Sequence, residues 1–146
     1  MKKINLILLV FTLTTFSNLS FGQSSIKTDS IVFCGKHFIA PHDCETIGNM
    51  IKCSNYVFTW INEPIVDLPR HQKELFAQTK NPKKISVSVV DSDNVGYITK
   101  MGTSYQLLII GIVNGQGVII NLWLDKPIKS TDDLPEYIRQ FITIKS

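Results

Sequence analysis

The clearest signal along this 146-residue chain is the alternation of apolar and polar positions. Across residues 84–90, Ile85, Val87 and Val89 alternate with Ser86 and Ser88. That is the period of a strand with one buried face. Further strands are predicted over 31–39, 56–61, 95–101, 105–113 and 118–124. Pro41, Pro64 and Pro127 interrupt the pattern, since proline cannot donate to a ladder. Turns are expected at 91–94, at 102–104 and at Asn114-Gly115.

Helical spacing occurs twice. Asp67-Leu68-Pro69 is a helix start, with Asp67 as N-cap and Pro69 in the first turn. Leu68, Leu75 and Phe76 mark the buried stripe, and the helix should end before Asn81-Pro82. A second helix is predicted over 131–142, capped by Ser130 or Thr131, with Asp132 and Asp133 in its first turn. Leu134, Tyr137, Ile138 and Phe141 would face the sheet. The resulting expectation is an α+β fold. An antiparallel sheet of about five to six strands carries two helices on one face, in the order ββ(β)-α-βββ-α.

The segment Cys44 to Cys53 carries the most specific short-range signal. A two-residue Gly48-Asn49 loop pairs Ile47 with Met50, Thr46 with Ile51, Glu45 with Lys52 and Cys44 with Cys53. The cysteines then fall on a non-hydrogen-bonded pair, where Cα atoms approach to about 4.5 Å. A disulfide accepts that separation, and Glu45 opposite Lys52 supports the same register. A Cys44–Cys53 bridge is expected, worth about 2–3 kcal/mol. A helical turn over 43–47 is the competing reading; it would keep the bridge and lose the register.

The start of the chain changes the picture of where the protein works. Lys2 and Lys3 precede an uncharged run from Ile4 to Phe16, and Ser20 and Gly22 stand at the −3 and −1 positions of a small-x-small site. Residues 1–22 are expected to be a cleaved signal peptide. Residues 23–30 form a polar lead-in and 31–146 a single domain, periplasmic or secreted, with no membrane span after cleavage. The net charge of +3 loses Lys2 and Lys3 with the leader. A near-neutral remainder argues against nucleic acid.

Candidate chemistry is sparse. Cys34, His37, His42 and Cys44 have compact metal-ligand spacing, but Cys44 is better explained by Cys53, and Cys34 and His37 would point to opposite faces of one strand. Cys34 with His37 or His71 as base lacks the surroundings of a catalytic thiol; a buried free cysteine is the simpler reading, and intermolecular pairing comes second. No cofactor is expected. Tyr56, Phe58, Trp60, Tyr97, Tyr105 and Trp123 could form a core or a binding face. Trp123 shares its face with Asn121 and Ile119, while Ile120, Leu122 and Leu124 form the opposite, wholly aliphatic face, expected to lie under the helices. Arg70, His71, Lys73, Lys80, Lys83 and Lys84 form a basic cluster that could meet an acidic partner or simply be solvated. The run 91–94 resembles the start of a calcium loop but lacks its glycine and distal glutamate.

The apolar hairpin from Tyr105 to Leu124, followed by a terminal helix from Asp132-Asp133 to Ile142, resembles the PsbP-like class of small α/β domains, which includes DcrB-type periplasmic proteins. The resemblance is one of topology. It implies a non-catalytic accessory or binding domain. The functional expectation is an exported non-catalytic binding protein engaging a protein partner in the cell envelope, as an inhibitor, immunity-type protein or accessory factor. Trp123, Asn121, Arg70 and Lys73 are its candidate contacts. The alternative is a small-molecule or metal-ion module using Cys34, His37 and His42, and a thiol enzyme using Cys34 is a third reading.

Overall fold

The computed structural model describes residues 29–79 and 81–145. The expected signal peptide lies outside the described residues, and so does Lys80.

Ten strands are present among them: β1 (Ser30–Phe33), β2 (Lys36–Ile39), β3 (Glu45–Ile47), β4 (Met50–Lys52), β5 (Tyr56–Glu63), β6 (Lys83–Val89), β7 (Ser92–Met101), β8 (Ser104–Val113), β9 (Gln116–Leu124) and β10 (Ile142–Lys145). The single α-helix of the described residues, α1, spans Leu68–Gln78. β1 and β2 form a hairpin of their own. The other eight strands build one antiparallel sheet in the order β10-β6-β7-β8-β9-β5-β4-β3.

The expected α+β architecture is therefore corrected to a mostly β one. The sheet has eight strands rather than five or six, and the second helix is missing. Its segment folds as two 3-10 turns, Thr131–Asp133 and Ile138–Gln140, and then becomes β10, the edge strand beside β6. Pro135 explains the difference. A residue before proline avoids the helical region, and Leu134 is extended at φ −74°, ψ 147°. Leu134, Ile138 and Phe141 are nonetheless buried, so the apolar positions are core positions without the helix.

A second correction concerns 31–39. Cys34 and Gly35 both have positive φ, 50° and 77°, and form the tight turn between β1 and β2. Cys34 thus stands in a turn and not in a strand. The turn expected at 91–94 also lies earlier, at Val90-Asp91, with φ of 46° and 66°.

The Cys44 to Cys53 hairpin has the expected register, with Glu45 opposite Lys52, Thr46 opposite Ile51 and Ile47 opposite Met50. Cys44 and Cys53 are disulfide-bonded, with Cα atoms 4.5 Å apart.

The core lies on one face of the large sheet. Phe58 and Trp60 from β5, Leu107 and Ile109 from β8, and Ile120 and Leu122 from β9 point into it. The β1–β2 hairpin and the segment before β10 cover that face. Phe33 sits with ring centroids 5.5 Å from Phe58, 5.5 Å from Trp60 and 5.0 Å from Phe141. Each such aromatic pair contributes about 1 kcal/mol beyond its buried area.

α1 packs on the opposite face. Leu68, with Leu75 and Phe76 beside it, meets Leu108, Ile110 and Ile119. Asp67 stands at the N-cap but makes no side-chain cap bond; its carboxylate accepts from Arg70 at 3.3 Å. At the other end Thr79 Oγ1 donates to the Leu75 carbonyl at 2.8 Å. The helix therefore covers the Trp123 face and not the aliphatic face of Ile120, Leu122 and Leu124, which reverses the expected arrangement. The aliphatic residues are buried all the same, under the hairpin and the C-terminal turns.

A candidate interaction face

Strand register arranges the helix side of the sheet into rows. One row runs Lys52, Val57, Trp123, Gln106 and Thr99 across β4, β5, β9, β8 and β7. The next runs Met50, Thr59, Asn121, Leu108 and Tyr97. A third holds Ile61, Ile119 and Ile110. α1 occupies the half of this face over Leu108, Ile110, Ile119 and Tyr97. Phe76 stacks edge-on against Tyr97 at 4.4 Å, and Gln72 Nε2 donates to the Tyr97 hydroxyl at 3.3 Å.

The other half is uncovered. Ile61 is 52% exposed and Ile47, on the edge strand, 48%. Met50, Val57, Thr59, Asn121 and Trp123 are each half-buried between them. Gln106 Nε2 donates to Asn121 Oδ1 at 2.7 Å across β8 and β9. That bond joins Gln106, opposite the indole on β8, to Asn121 in the next row on β9, and limits the rotamers of both. Beyond Trp123 the surface dips into a hollow lined by Lys52, Asn55, Val57, Ser104 and Asp125. The face thus has a half-buried aromatic, aliphatics on the neighbouring strands and a hydrogen-bonded amide pair beside the ring.

Trp123 and Asn121 are brought together as expected from their shared strand face. Arg70 and Lys73 belong to α1, on the same side of the sheet, and both are exposed. The Arg70 guanidinium is shared between Asp67 at 3.3 Å and Glu74 at 3.7 Å, so its charge is largely matched within the helix. His71 Nδ1 lies 3.6 Å from Glu63 Oε1, linking the helix to the end of β5. Gln106, Met50, Ile47 and Ile61 escaped the sequence reading. Ile61 falls within the strand expected over 56–61, but no pattern in a single strand says which face stays open.

The alternative site is not assembled. Cys34 is a buried free thiol in its turn, with its carbonyl accepting from Asn114 Nδ2 at 3.2 Å. Burial pushes the thiol up to about 11, so it stays protonated at neutral pH. His37 is exposed on the outer face of the hairpin, opposite Val32. His42 is exposed in the connection to β3, and Cys44 is held by Cys53. Among the described residues no group of three or more His, Cys, Asp or Glu side chains is placed to hold a metal ion. No described helix is long and apolar enough to cross a membrane.

Comparison with known proteins returns nothing. No family model, no curated protein and no solved structure matches this chain. The geometry of the uncovered half-face is therefore what a functional reading has to start from.

Proposed function

We propose that this chain is an exported, non-catalytic binding protein, and that it engages a protein partner in the cell envelope through the uncovered half of its helix-side sheet face. The observation that carries the reading is the cluster of Ile47, Met50, Val57, Ile61 and Trp123 left bare beside α1. Contact surfaces concentrate their binding energy in a few aromatic and aliphatic anchors ringed by polar groups. Trp123, with Asn121 and Gln106 bonded beside it, has that composition. The leader-like first 22 residues support export, as does the Cys44–Cys53 bridge, since disulfides persist in oxidising compartments.

The test is photo-crosslinking in the protein's own host. A photoreactive residue replacing Ile61 in the full chain should give a discrete crosslinked protein band. The same residue at Val32, exposed on the outer face of the β1–β2 hairpin, should not. Adding Trp123→Ala should remove the band at unchanged protein level. A band from position 32 alone, or a band from position 61 that survives Trp123→Ala, overturns the reading.

A further inference from the structure

The large sheet ends in two edge strands, and an open edge offers unpaired backbone groups to any other extended chain. The β3 edge is only three residues long, at Glu45–Ile47, and its hairpin is closed by the Cys44–Cys53 bridge. Short edge strands of this kind offer little to pair with. The β10 edge, at Ile142–Lys145, is one residue longer and has no disulfide closing it.

Its outer side carries a different feature. Thr131 Oγ1 accepts from the Ile144 N–H at 2.9 Å and donates to the Ile144 carbonyl at 3.2 Å. In an antiparallel strand the N–H and C=O of one residue point to the same side. With both groups turned to Thr131, Ile144 shows them away from β6. A single hydroxyl thus stands where the backbone of a ninth strand would.

Thr131 is held there by its own turn. Asp133 Oδ2 accepts from the Lys129 and Ser130 amides at 2.8 and 2.9 Å, closing a capping box around Ser130. Leu134, buried in the core, fixes the far end of the same turn. The side chain is therefore presented to Ile144 by a braced segment that comes thirteen residues earlier in the chain.

We infer that Thr131 is an edge plug: its hydroxyl occupies the outward hydrogen-bonding groups of Ile144, at the middle of the β10 edge, and bars that edge from pairing with β10 of a second copy. The competing occupant is a second copy for a reason of register. An antiparallel β10 pair centred on Ile144 would put Lys145 opposite Thr143 of the other copy, so like charges do not meet across the join. A twofold contact of this kind is self-complementary and would run the two sheets into one. The inference does not depend on the partner-binding reading, because it concerns the opposite end of the sheet.

The test compares three forms of the full chain by sedimentation velocity over a range of concentrations. Thr131→Ala should show a concentration-dependent species of twice the mass found for the wild type. Thr131→Ser, which keeps the hydroxyl, should sediment as the wild type does. Ile144→Pro added to Thr131→Ala should return the wild-type behaviour, because it deletes the outward N–H without touching the bonds to β6. A Thr131→Ala chain that is folded by circular dichroism yet sediments as the wild type overturns the proposal. So does association that persists after Ile144→Pro, which would mark it as general misfolding.

Discussion

Asn114 donates from Nδ2 to the Cys34 carbonyl at 3.2 Å, joining two hairpin turns eighty residues apart. Both turns are of the same build: Cys34-Gly35 and Asn114-Gly115 each have φ near 50° and then 77°. The bond ties the β1–β2 hairpin, which has no backbone pairing to the large sheet, to the tip of the β8–β9 hairpin. Asn114→Gly keeps the turn and removes the bond, and should lower stability by about 1 kcal/mol. Asn114→Ala adds the strain of a positive φ on a residue with a Cβ and should cost about 1 kcal/mol more. Urea unfolding of the three proteins distinguishes the two contributions; equal stabilities would show that the hairpin docks without this bond.

Thr46 offers a test in the other direction. Its hydroxyl is buried on the core side of β3 with no hydrogen-bond partner among the described residues. An unpaired buried hydroxyl costs about 1–3 kcal/mol. Thr46→Val keeps the shape and removes that cost, so the variant should be more stable by about 1 kcal/mol. Thermal unfolding measures it, and a lower midpoint would mean that the hydroxyl is satisfied in solution.

The Cys44–Cys53 bridge closes a short loop at the sheet's β3 edge. Replacing both cysteines by serine should cost about 2–3 kcal/mol, chiefly through the freedom returned to the unfolded chain. In the unmodified protein, intact-mass analysis after alkylation should find one thiol accessible only on unfolding, namely the buried Cys34. Rapid labelling of the folded protein at neutral pH would contradict this.

Stability should fall on the alkaline side. Burial pushes the Cys34 thiol up to about 11, and burial followed by the Tyr137 charge pushes the Tyr56 phenol up to about 12. In the unfolded chain these groups ionise near about 8.5 and about 10. The folded form then holds protons that the unfolded form releases. Their contribution is fully present below the unfolded values and is lost as pH rises toward the folded ones. Urea midpoints between pH about 7.5 and about 10.5 should decline, and Cys34→Ser should flatten the lower part of that decline.

Parts of this architecture are legible in the residues and parts are not, for physical reasons. The Cys44–Cys53 register can be read because a two-residue Gly48-Asn49 loop leaves the cysteines equidistant from its centre. The β8–β9 hairpin is marked by Asn114-Gly115 in the same way. α1 is legible because Pro69, the Leu68–Leu75–Phe76 stripe and Pro82 bound it. The false terminal helix came from reading Leu134, Tyr137, Ile138 and Phe141 by spacing alone. The burial of Leu134, Ile138 and Phe141 is a property of the core, whereas Pro135 among them forbids a continuous helix. The Cys34-Gly35 turn is hidden because cysteine rarely adopts a left-handed backbone and apolar residues continue on both sides of it, at Ile31-Val32-Phe33 and Phe38-Ile39. Which face the helix takes is decided by what else can cover the sheet. The hairpin's Phe33 and Phe38 and the C-terminal Phe141 claim the aliphatic side, and no local pattern in β9 records that.

The contact between Phe33 and Phe141 has a consequence for the order of events in time. The first hairpin of the described chain completes its aromatic cluster only with a residue close to the described end, 5.0 Å away between ring centres. Contacts between residues so far apart in sequence are slow to form. A growing chain holding Phe33, Phe58 and Trp60 therefore has an unfinished core until Phe141 has been synthesised. Until Phe141 follows, Phe33 and Phe58 stand without the ring that closes their cluster.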